Sequence, residues 1–243
     1  MKKMGLLGGM SWESSLEYYR IINESVKSKL GGSHSANCLM YSFDFHEVEE
    51  LQHNGEWEAL TDLMVKEANN LKVAGADFIV ICTNTMHLMA PDIEQSTGLK
   101  VIHIADATSD EIIKRDIKKV LLLGTKFTME GTFYRERLEK NGIEVIIPSE
   151  SDRQIIHDII YNELILGVLN SGSRRKYVDI INKAAEIGVT GVVLGCTEIP
   201  LLIKENDVAI EVFDTTEIHA KAAVEFAIKE YLRVRETSPK LVG

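Results

Sequence analysis

Short apolar runs alternate along the chain with longer segments in which apolar residues recur every three or four positions. Continuous apolar runs of this length are typical of parallel strands that are buried on both faces. The predicted strands are residues 4–8, 38–43, 78–82 and 101–104 in the first half and residues 120–124, 144–147, 192–195 and 210–213 in the second half.

The segments between these runs have the periodicity of amphipathic helices. The first helix has one apolar stripe, formed by Trp12, Leu16, Tyr19, Ile22, Val26 and Leu30, and Ser11 precedes it as an N-cap. Further helices are predicted over residues 57–74, 155–169, 177–187 and 218–232. Strands that alternate with helices of this length form βαβ units, so the sequence predicts an α/β fold with parallel sheets.

The two halves of the chain resemble one another. Residues 3–8 (Lys-Met-Gly-Leu-Leu-Gly) are similar to residues 119–124 (Lys-Val-Leu-Leu-Leu-Gly), and the run that ends in Cys82-Thr83 is similar to the run that ends in Cys196-Thr197. These matches occur in the same order and at nearly the same offset. We therefore expect two similar α/β halves.

Charge and cysteine content exclude several classes of function. The net charge of -10 disfavours binding to nucleic acids or anionic membrane surfaces, and no segment is apolar enough to span a bilayer. Three widely spaced cysteines predict neither a disulfide framework nor a metal site, and they suit a reducing, cytoplasmic setting. Gly5, Gly8 and Gly9 do not have the spacing of a dinucleotide-binding loop, so no nicotinamide cofactor is expected.

The repeated Cys-Thr segments suggest acid–base chemistry. Open α/β sheets bind their ligands at the carboxyl ends of the strands, where both segments are predicted. Cys196 follows a strand and precedes a predicted helix start, a position that lowers the pKa of a thiol. Two such groups on opposite faces of one carbon could invert a stereocentre. The alternative is that Cys196 is a buried structural cysteine.

Three segments together resemble the aspartate/glutamate racemases, which work without pyridoxal phosphate. They are residues 5–11 (Gly-Leu-Leu-Gly-Gly-Met-Ser), 84–87 (Asn-Thr-Met-His) and 195–198 (Gly-Cys-Thr-Glu). The start of the chain is similar to a bacterial branch with L-aspartate/glutamate or broader specificity. The resemblance implies two pseudo-symmetric parallel-sheet α/β domains with the active site in the cleft between them. It implies a first domain of residues 1–98 plus 215–243, a second of residues 99–214, no cofactor or metal, and a homodimer as one expectation.

The family pattern leaves the first catalytic position between two residues. The usual pattern is Cys-Asn-Thr, and this chain has Cys82-Thr83-Asn84-Thr85. The internal repeat pairs Cys82 with Cys196, whereas the Asn-Thr anchor puts Thr83 in the place of the family cysteine. We prefer Thr83, because Asn84 and Thr85 are expected to contact the substrate. Neighbouring strand residues point to opposite sides, so only one of the two can face the substrate carbon.

The resemblance therefore implies Thr83 and Cys196 as an asymmetric catalytic pair in an amino-acid racemase. Substrate contacts are implied for Met10, Gln52, Thr83, Asn84, Thr85, Thr125, Thr128, Thr197 and Glu198. The acidic stretch of residues 44–50 argues against strict recognition of a dicarboxylate, so a broader range of amino acids is possible. A non-catalytic amino-acid-binding protein and a related carbon-acid isomerase or decarboxylase are the alternatives.

Overall fold

The structure is a computed structural model that describes residues 1–237 of the chain. The described residues fall into two compact units. The first unit contains residues 1–82, 89–102 and the chain from His219 onward, and the second contains residues 83–88 and 103–218. Within the described residues, no helix is long and apolar enough to cross a membrane.

A three-stranded parallel sheet forms the centre of the first unit. Its elements are β1 (Met4–Gly8), α1 (Trp12–Leu30), β2 (Cys38–Ser42), α2 (Phe45–His53), α3 (Trp57–Val73), β3 (Phe78–Ile81) and α4 (Ala90–Thr97). The strand order is β2-β1-β3, with β1 parallel to both neighbours. The apolar side chains of β1 and β3 pack with α1 and with the helix that starts at Thr215.

A four-stranded parallel sheet forms the second unit. Its elements are α5 (Ile104–Lys114), β4 (Lys119–Gly124), α6 (Lys126–Glu130), α7 (Thr132–Lys140), β5 (Glu144–Ile146), α8 (Glu150–Asn162), α9 (Ser171–Glu186), β6 (Gly191–Gly195), α10 (Ile199–Leu202) and β7 (Glu211–Asp214). The last helix, α11 (Thr215–Thr237), begins in this unit and belongs to the first unit from His219 onward. 3₁₀ turns cover Thr85–Met89, Leu164–Leu166 and Glu205–Asp207. The strand order is β5-β4-β6-β7. In both units the first strand is central and the next two strands flank it, as the internal repeat predicts.

Both faces of the second sheet are covered, which explains the continuous apolar runs in its central strands β4 and β6. Leu121, Leu123 and Val192 belong to one hydrophobic cluster, together with residues of α8 and α9. Their neighbours Leu122 and Val193 belong to a second cluster, together with residues of α5 and α7. Successive strand residues point to opposite faces, so each face is closed by its own helix layer. The predicted α/β class with parallel sheets is confirmed.

The predicted apolar stripe of α1 is wrong in its first half. Trp12, Leu16 and Tyr19 are 65%, 56% and 50% exposed, whereas Tyr18 is fully buried. The helix nevertheless begins at Trp12 with Ser11 as its N-cap, as predicted, because capping does not depend on which side of the helix is buried. The N-terminal half is buried through Ser14, Ser15 and Tyr18 instead of the predicted Trp12, Leu16 and Tyr19.

Two predicted elements are shorter than expected. The predicted strand at residues 101–104 is reduced to one bridge between Val101 and Ile79. The chain leaves the sheet there because His103 caps α5, its Nδ1 accepting the N–H of Ala105 at 3.2 Å. The predicted helix over residues 155–169 ends at Asn162 and is followed by a 3₁₀ turn. The 3₁₀ turn ends at Gly167, a left-handed C-cap with a φ of 72°, a conformation that glycine adopts readily.

The domain boundaries inferred from the family resemblance stay a prediction. The compact units of the structure change over at residues 82/83, 88/89, 102/103 and 218/219. The last six residues of the predicted first domain, 238–243, lie outside the described residues.

Candidate active site

Three neighbouring strands of the second unit bring candidate residues to one edge of its sheet. Gly124 is in register with Gly195, and Leu194 is in register with Asp214. The residues that directly follow β4, β6 and β7 are Thr125, Cys196 and Thr215. Because the strands are parallel, all three lie at the carboxyl edge, with Cys196 on the central strand of the three.

Glycine at the end of β6 allows the strands to approach closely beside Cys196. A Cβ atom on Gly195 would lie 2.7 Å from the carbonyl oxygen of Leu123 and 3.2 Å from Cγ2 of Thr128. The first distance is shorter than real Cβ contacts allow, and a backbone atom cannot move aside easily. The position therefore requires glycine, and Thr128 lies directly against the residue that precedes Cys196.

The thiol of Cys196 is hydrogen-bonded to a carboxylate. Its S–H donates to Oε2 of Glu198 at 2.9 Å, and the hydroxyl of Thr197 donates to the same oxygen at 2.8 Å. Cys196 is 9% exposed and Glu198 is 6% exposed. A carboxylate at this distance can accept the thiol proton.

The expectation that the thiol pKa is lowered by a helix start is wrong. Burial raises the pKa of Cys196 well above its ordinary value, and the charge of Glu198 raises it further. Backbone N–H groups of Thr197 and Glu198 act in the opposite direction but are outweighed. The helix that follows, α10, has only four residues, so it offers little dipole to oppose the desolvation.

Three buried threonine hydroxyls form a cluster at the end of β4. Oγ1 of Thr128 lies 3.2 Å from Oγ1 of Thr85 and 3.4 Å from Oγ1 of Thr125. Thr125 also caps α6, because its hydroxyl oxygen accepts the N–H of Thr128 at 3.4 Å. The cluster places hydroxyls from two distant chain segments near Gly195, and hydroxyls can donate to a bound carboxylate.

Cys82 and Thr83 have different surroundings. The Cys82 side chain is fully buried in the apolar cluster of the first unit, and burial raises the pKa of its thiol. Thr83, the next residue, belongs to the second unit and is partly exposed. His87 donates its Nδ1–H to the carbonyl oxygen of Thr83 at 2.8 Å, which holds the backbone of this turn.

Asn84 is connected to β6 through Thr215. Its Nδ2 lies 3.1 Å from Oγ1 of Thr215, whose hydroxyl donates to the carbonyl oxygen of Leu194 at 2.8 Å. Oδ1 of Asn84 is buried and has no hydrogen-bond partner among the described residues. Sequence reasoning did not include Thr215 among the site residues, although its position directly after a strand end was a usable signal.

The remaining predicted contacts lie in the first unit. Met10 is buried in the turn between β1 and α1, and Gln52 is buried in the last turn of α2. The other predicted site residues, from Thr83 to Glu198, lie in the second unit. Contact of Met10 and Gln52 with a substrate stays a prediction.

Known proteins resemble this chain over most of its length. The sequence profile of the Asp/Glu/hydantoin racemase family matches residues 7–223. The broad-specificity amino-acid racemase RacX of Bacillus subtilis is 24% identical over 233 residues, which cover 91% of this chain and 96% of RacX.

Two solved structures share the fold at higher identity. A candidate Asp/Glu racemase from Yersinia pestis is 53% identical with a TM-score of 0.88, covering 94% of this chain and 100% of the other. An aspartate racemase homologue from Pyrococcus horikoshii OT3 is 39% identical with a TM-score of 0.81, covering 93% of this chain and 99% of the other. The resemblance predicted from the three sequence motifs is confirmed.

Proposed function

Since the chain belongs to the Asp/Glu/hydantoin racemase family, we propose that it racemises free amino acids by moving a proton at Cα without a cofactor. The observation that carries the proposal is the hydrogen bond between the Cys196 thiol and the Glu198 carboxylate at a strand end. This pair can exist in two protonation states. The two states let the pair remove or return a proton on one face of Cα, and inversion also needs a second group on the opposite face.

Cys196 and Glu198 act together in the proposed reaction. In the resting state the sulfur carries the proton, because burial and the neighbouring Glu198 both raise the thiol pKa. Transfer of this proton to Glu198 leaves a thiolate, which removes the proton from Cα of one enantiomer. In the reverse direction the thiol gives its proton to the carbanion, and Glu198 returns its own proton to the sulfur.

Thr83 is the proposed partner on the opposite face of Cα. Its side chain is partly exposed, whereas that of Cys82 is buried in the apolar cluster of the first unit. A hydroxyl is a much weaker acid than a thiol, so it is a poor base and acts directly or through a water molecule. We therefore expect the rates from the L- and D-enantiomers to be unequal.

The remaining proposed contacts hold the substrate. The hydroxyls of Thr85, Thr125 and Thr128 are placed to donate to a carboxylate, and Asn84 offers an acceptor to an ammonium group. Met10, Gln52 and Thr197 complete the proposed set. We propose a substrate range that includes aspartate and glutamate and extends to other amino acids, as the name of the Bacillus relative also suggests for that protein.

Isotope exchange tests the reaction. The wild-type protein is incubated in deuterated water with the L- and D-enantiomers, in separate samples, of aspartate, glutamate and several neutral amino acids, and deuterium at Cα and the opposite enantiomer are both measured. We expect Cys196→Ala to abolish exchange from at least one enantiomer and Thr83→Ala to slow it. Cys38→Ala, which removes a half-buried thiol of the first unit, is the matched control and should retain activity.

Each alternative has its own outcome when amino-acid binding and exchange into other carbon acids are measured alongside. Activity that is lost only in Cys82→Ala contradicts the choice of Thr83. Absence of exchange with every amino acid, combined with measurable binding, favours an amino-acid-binding protein. Exchange at another carbon acid favours a related isomerase or decarboxylase.

We further propose that the protein works in the cytoplasm as a homodimer. Its three cysteines are free thiols, which suits a reducing compartment. The exposed side chains of Trp12, Leu16 and Tyr19 form an apolar face on α1 that a second copy could cover. Light scattering of the wild-type protein and of Trp12→Glu tests this, since a dimer that uses the face should dissociate in the variant.

A further inference from the structure

We propose that Thr215 is a positioning residue that turns the side-chain amide of Asn84 so that its carbonyl oxygen receives the ammonium group of the substrate. The inference rests on the proposed function and adds one residue to it. It also assigns one part of the substrate to one atom of the protein.

The orientation of the amide follows from counting protons. A threonine hydroxyl has one proton to donate. Thr215 uses it on the carbonyl oxygen of Leu194, which lies 2.8 Å away. The contact of 3.1 Å between Thr215 and Asn84 must then be donated by Nδ2–H of Asn84. Oδ1 consequently points away from Thr215 as a pure acceptor.

The free acceptor is buried, which is unusual. Asn84 is 2% exposed, and within residues 1–237 its Oδ1 has no hydrogen-bond partner. A buried polar atom without a partner destabilises a fold, so a ligand that supplies the missing donor is the natural explanation. A carbonyl oxygen attracts an ammonium group and repels a carboxylate. Of the two charged groups that every free amino acid carries, Oδ1 therefore selects the ammonium.

The location of Asn84 agrees with this role. Thr215 donates to Leu194, which is two residues before Cys196 on the same strand. Thr85, next to Asn84, belongs to the threonine cluster and contacts Thr128, which lies against Gly195. Asn84, which supplies the proposed ammonium acceptor, is thus hydrogen-bonded through Thr215 to β6, the strand that precedes Cys196. Two of the hydroxyls proposed to hold the carboxylate, those of Thr125 and Thr128, follow the end of the adjacent strand β4.

Thr215→Val removes the hydroxyl with little change in shape, and Thr215→Ser restores it. Thr108→Val is a matched control, because Thr108 is also fully buried in the second unit, donates to a carbonyl oxygen (Ile104, 2.8 Å) and accepts a hydrogen bond (Tyr134, 3.1 Å). Any loss that arises only from removing a buried threonine hydroxyl should appear in both valine variants.

The first measurement needs no substrate. In NMR spectra of the ligand-free protein, the side-chain NH₂ signal of Asn84, assigned with Asn84→Asp, should be protected from hydrogen exchange in the wild type and in Thr215→Ser. The protection should be lost in Thr215→Val and kept in Thr108→Val. An Asn84 signal that is the same in wild type and Thr215→Val would overturn the proposal, whether or not the protein is a racemase.

The second measurement assigns the substrate group. With L-aspartate, Thr215→Val should raise KM about 10-fold to 100-fold, as expected when a buried hydrogen bond is lost, and change kcat less. Thr215→Ser should stay within about threefold of the wild type. Inhibition by succinate, which lacks the ammonium group, should change less than about threefold in Thr215→Val. If Thr215→Val weakens the binding of L-aspartate and of succinate equally, the assignment of Oδ1 to the ammonium group is overturned. A wild-type protein without activity on L-aspartate would count against the proposed substrate range alone.

Discussion

A buried histidine should make the stability of the protein depend on pH. His219 in α11 is fully buried in the first unit. Its Nε2 lies 2.6 Å from the carbonyl oxygen of Ile102, and its Nδ1 lies 2.7 Å from the hydroxyl of Tyr18. Because a carbonyl only accepts, Nε2 carries the proton and the Tyr18 hydroxyl donates to Nδ1. Protonation of the ring would remove that acceptor.

The sign and size of the effect follow from the shift in pKa. Burial lowers the pKa of His219 from 6.5 to about 4. The unfolded chain therefore binds this proton more readily than the native state. The contribution of His219 to stability is complete above about pH 6.5 and is lost as the pH falls toward 4, in total about 3 kcal/mol. Between pH 7 and pH 5 the loss is about 2 kcal/mol.

Urea unfolding of the wild type and of His219→Gln at pH 7, 6 and 5 measures this contribution. Glutamine cannot titrate but can still donate to the carbonyl oxygen of Ile102. We expect the wild type to be more stable at pH 7 and the difference to shrink by about 2 kcal/mol at pH 5. His46→Gln, which removes an exposed histidine, is the control. The difference in unfolding free energy between the wild type and His46→Gln should be the same at pH 7 and pH 5. A gap between wild type and His219→Gln that stays constant across this range would refute the reasoning.

Two further predictions concern the strand that carries the thiol. Glu198→Gln should lower the rate of racemisation about 100-fold, because the acceptor of the thiol proton is lost. Alkylation of Cys196, followed by mass spectrometry, should become faster in the same variant, since the Glu198 carboxylate raises the thiol pKa in the wild type. If racemisation and alkylation both become slower, the assignment of Glu198 is contradicted. Gly195→Ala should destabilise the protein by about 1–3 kcal/mol in urea unfolding, because its Cβ would lie 2.7 Å from the carbonyl oxygen of Leu123. Gly172→Ala, where the nearest neighbour is a side-chain atom at 3.1 Å, should cost less, and equal losses would argue against the steric explanation.

The sequence was sufficient where local pattern decides structure. The apolar runs predicted all seven strands of the described residues, most clearly the central strands β1, β4 and β6, because strands buried on both faces are mostly apolar. The eighth, at residues 101–104, was wrong because an apolar run does not reveal that His103 caps a helix. The predicted buried side of α1 was wrong in the first half of the helix for a similar reason. The spacing of apolar residues indicates a helix, but it does not show which side of that helix packs against the sheet.

The sequence by itself determined the order of strands and helices, the internal repeat, the family, and the residue types that follow each strand. The tertiary structure decided how deeply those residues are buried and which groups they are hydrogen-bonded to. It set the direction of the Cys196 pKa, because the amount of water removed from a thiol depends on packing by distant segments. It also joined Asn84 to Thr215, 131 positions apart in the chain. Long-range burial and hydrogen bonding thus define the site, whereas local periodicity defines the elements that carry it.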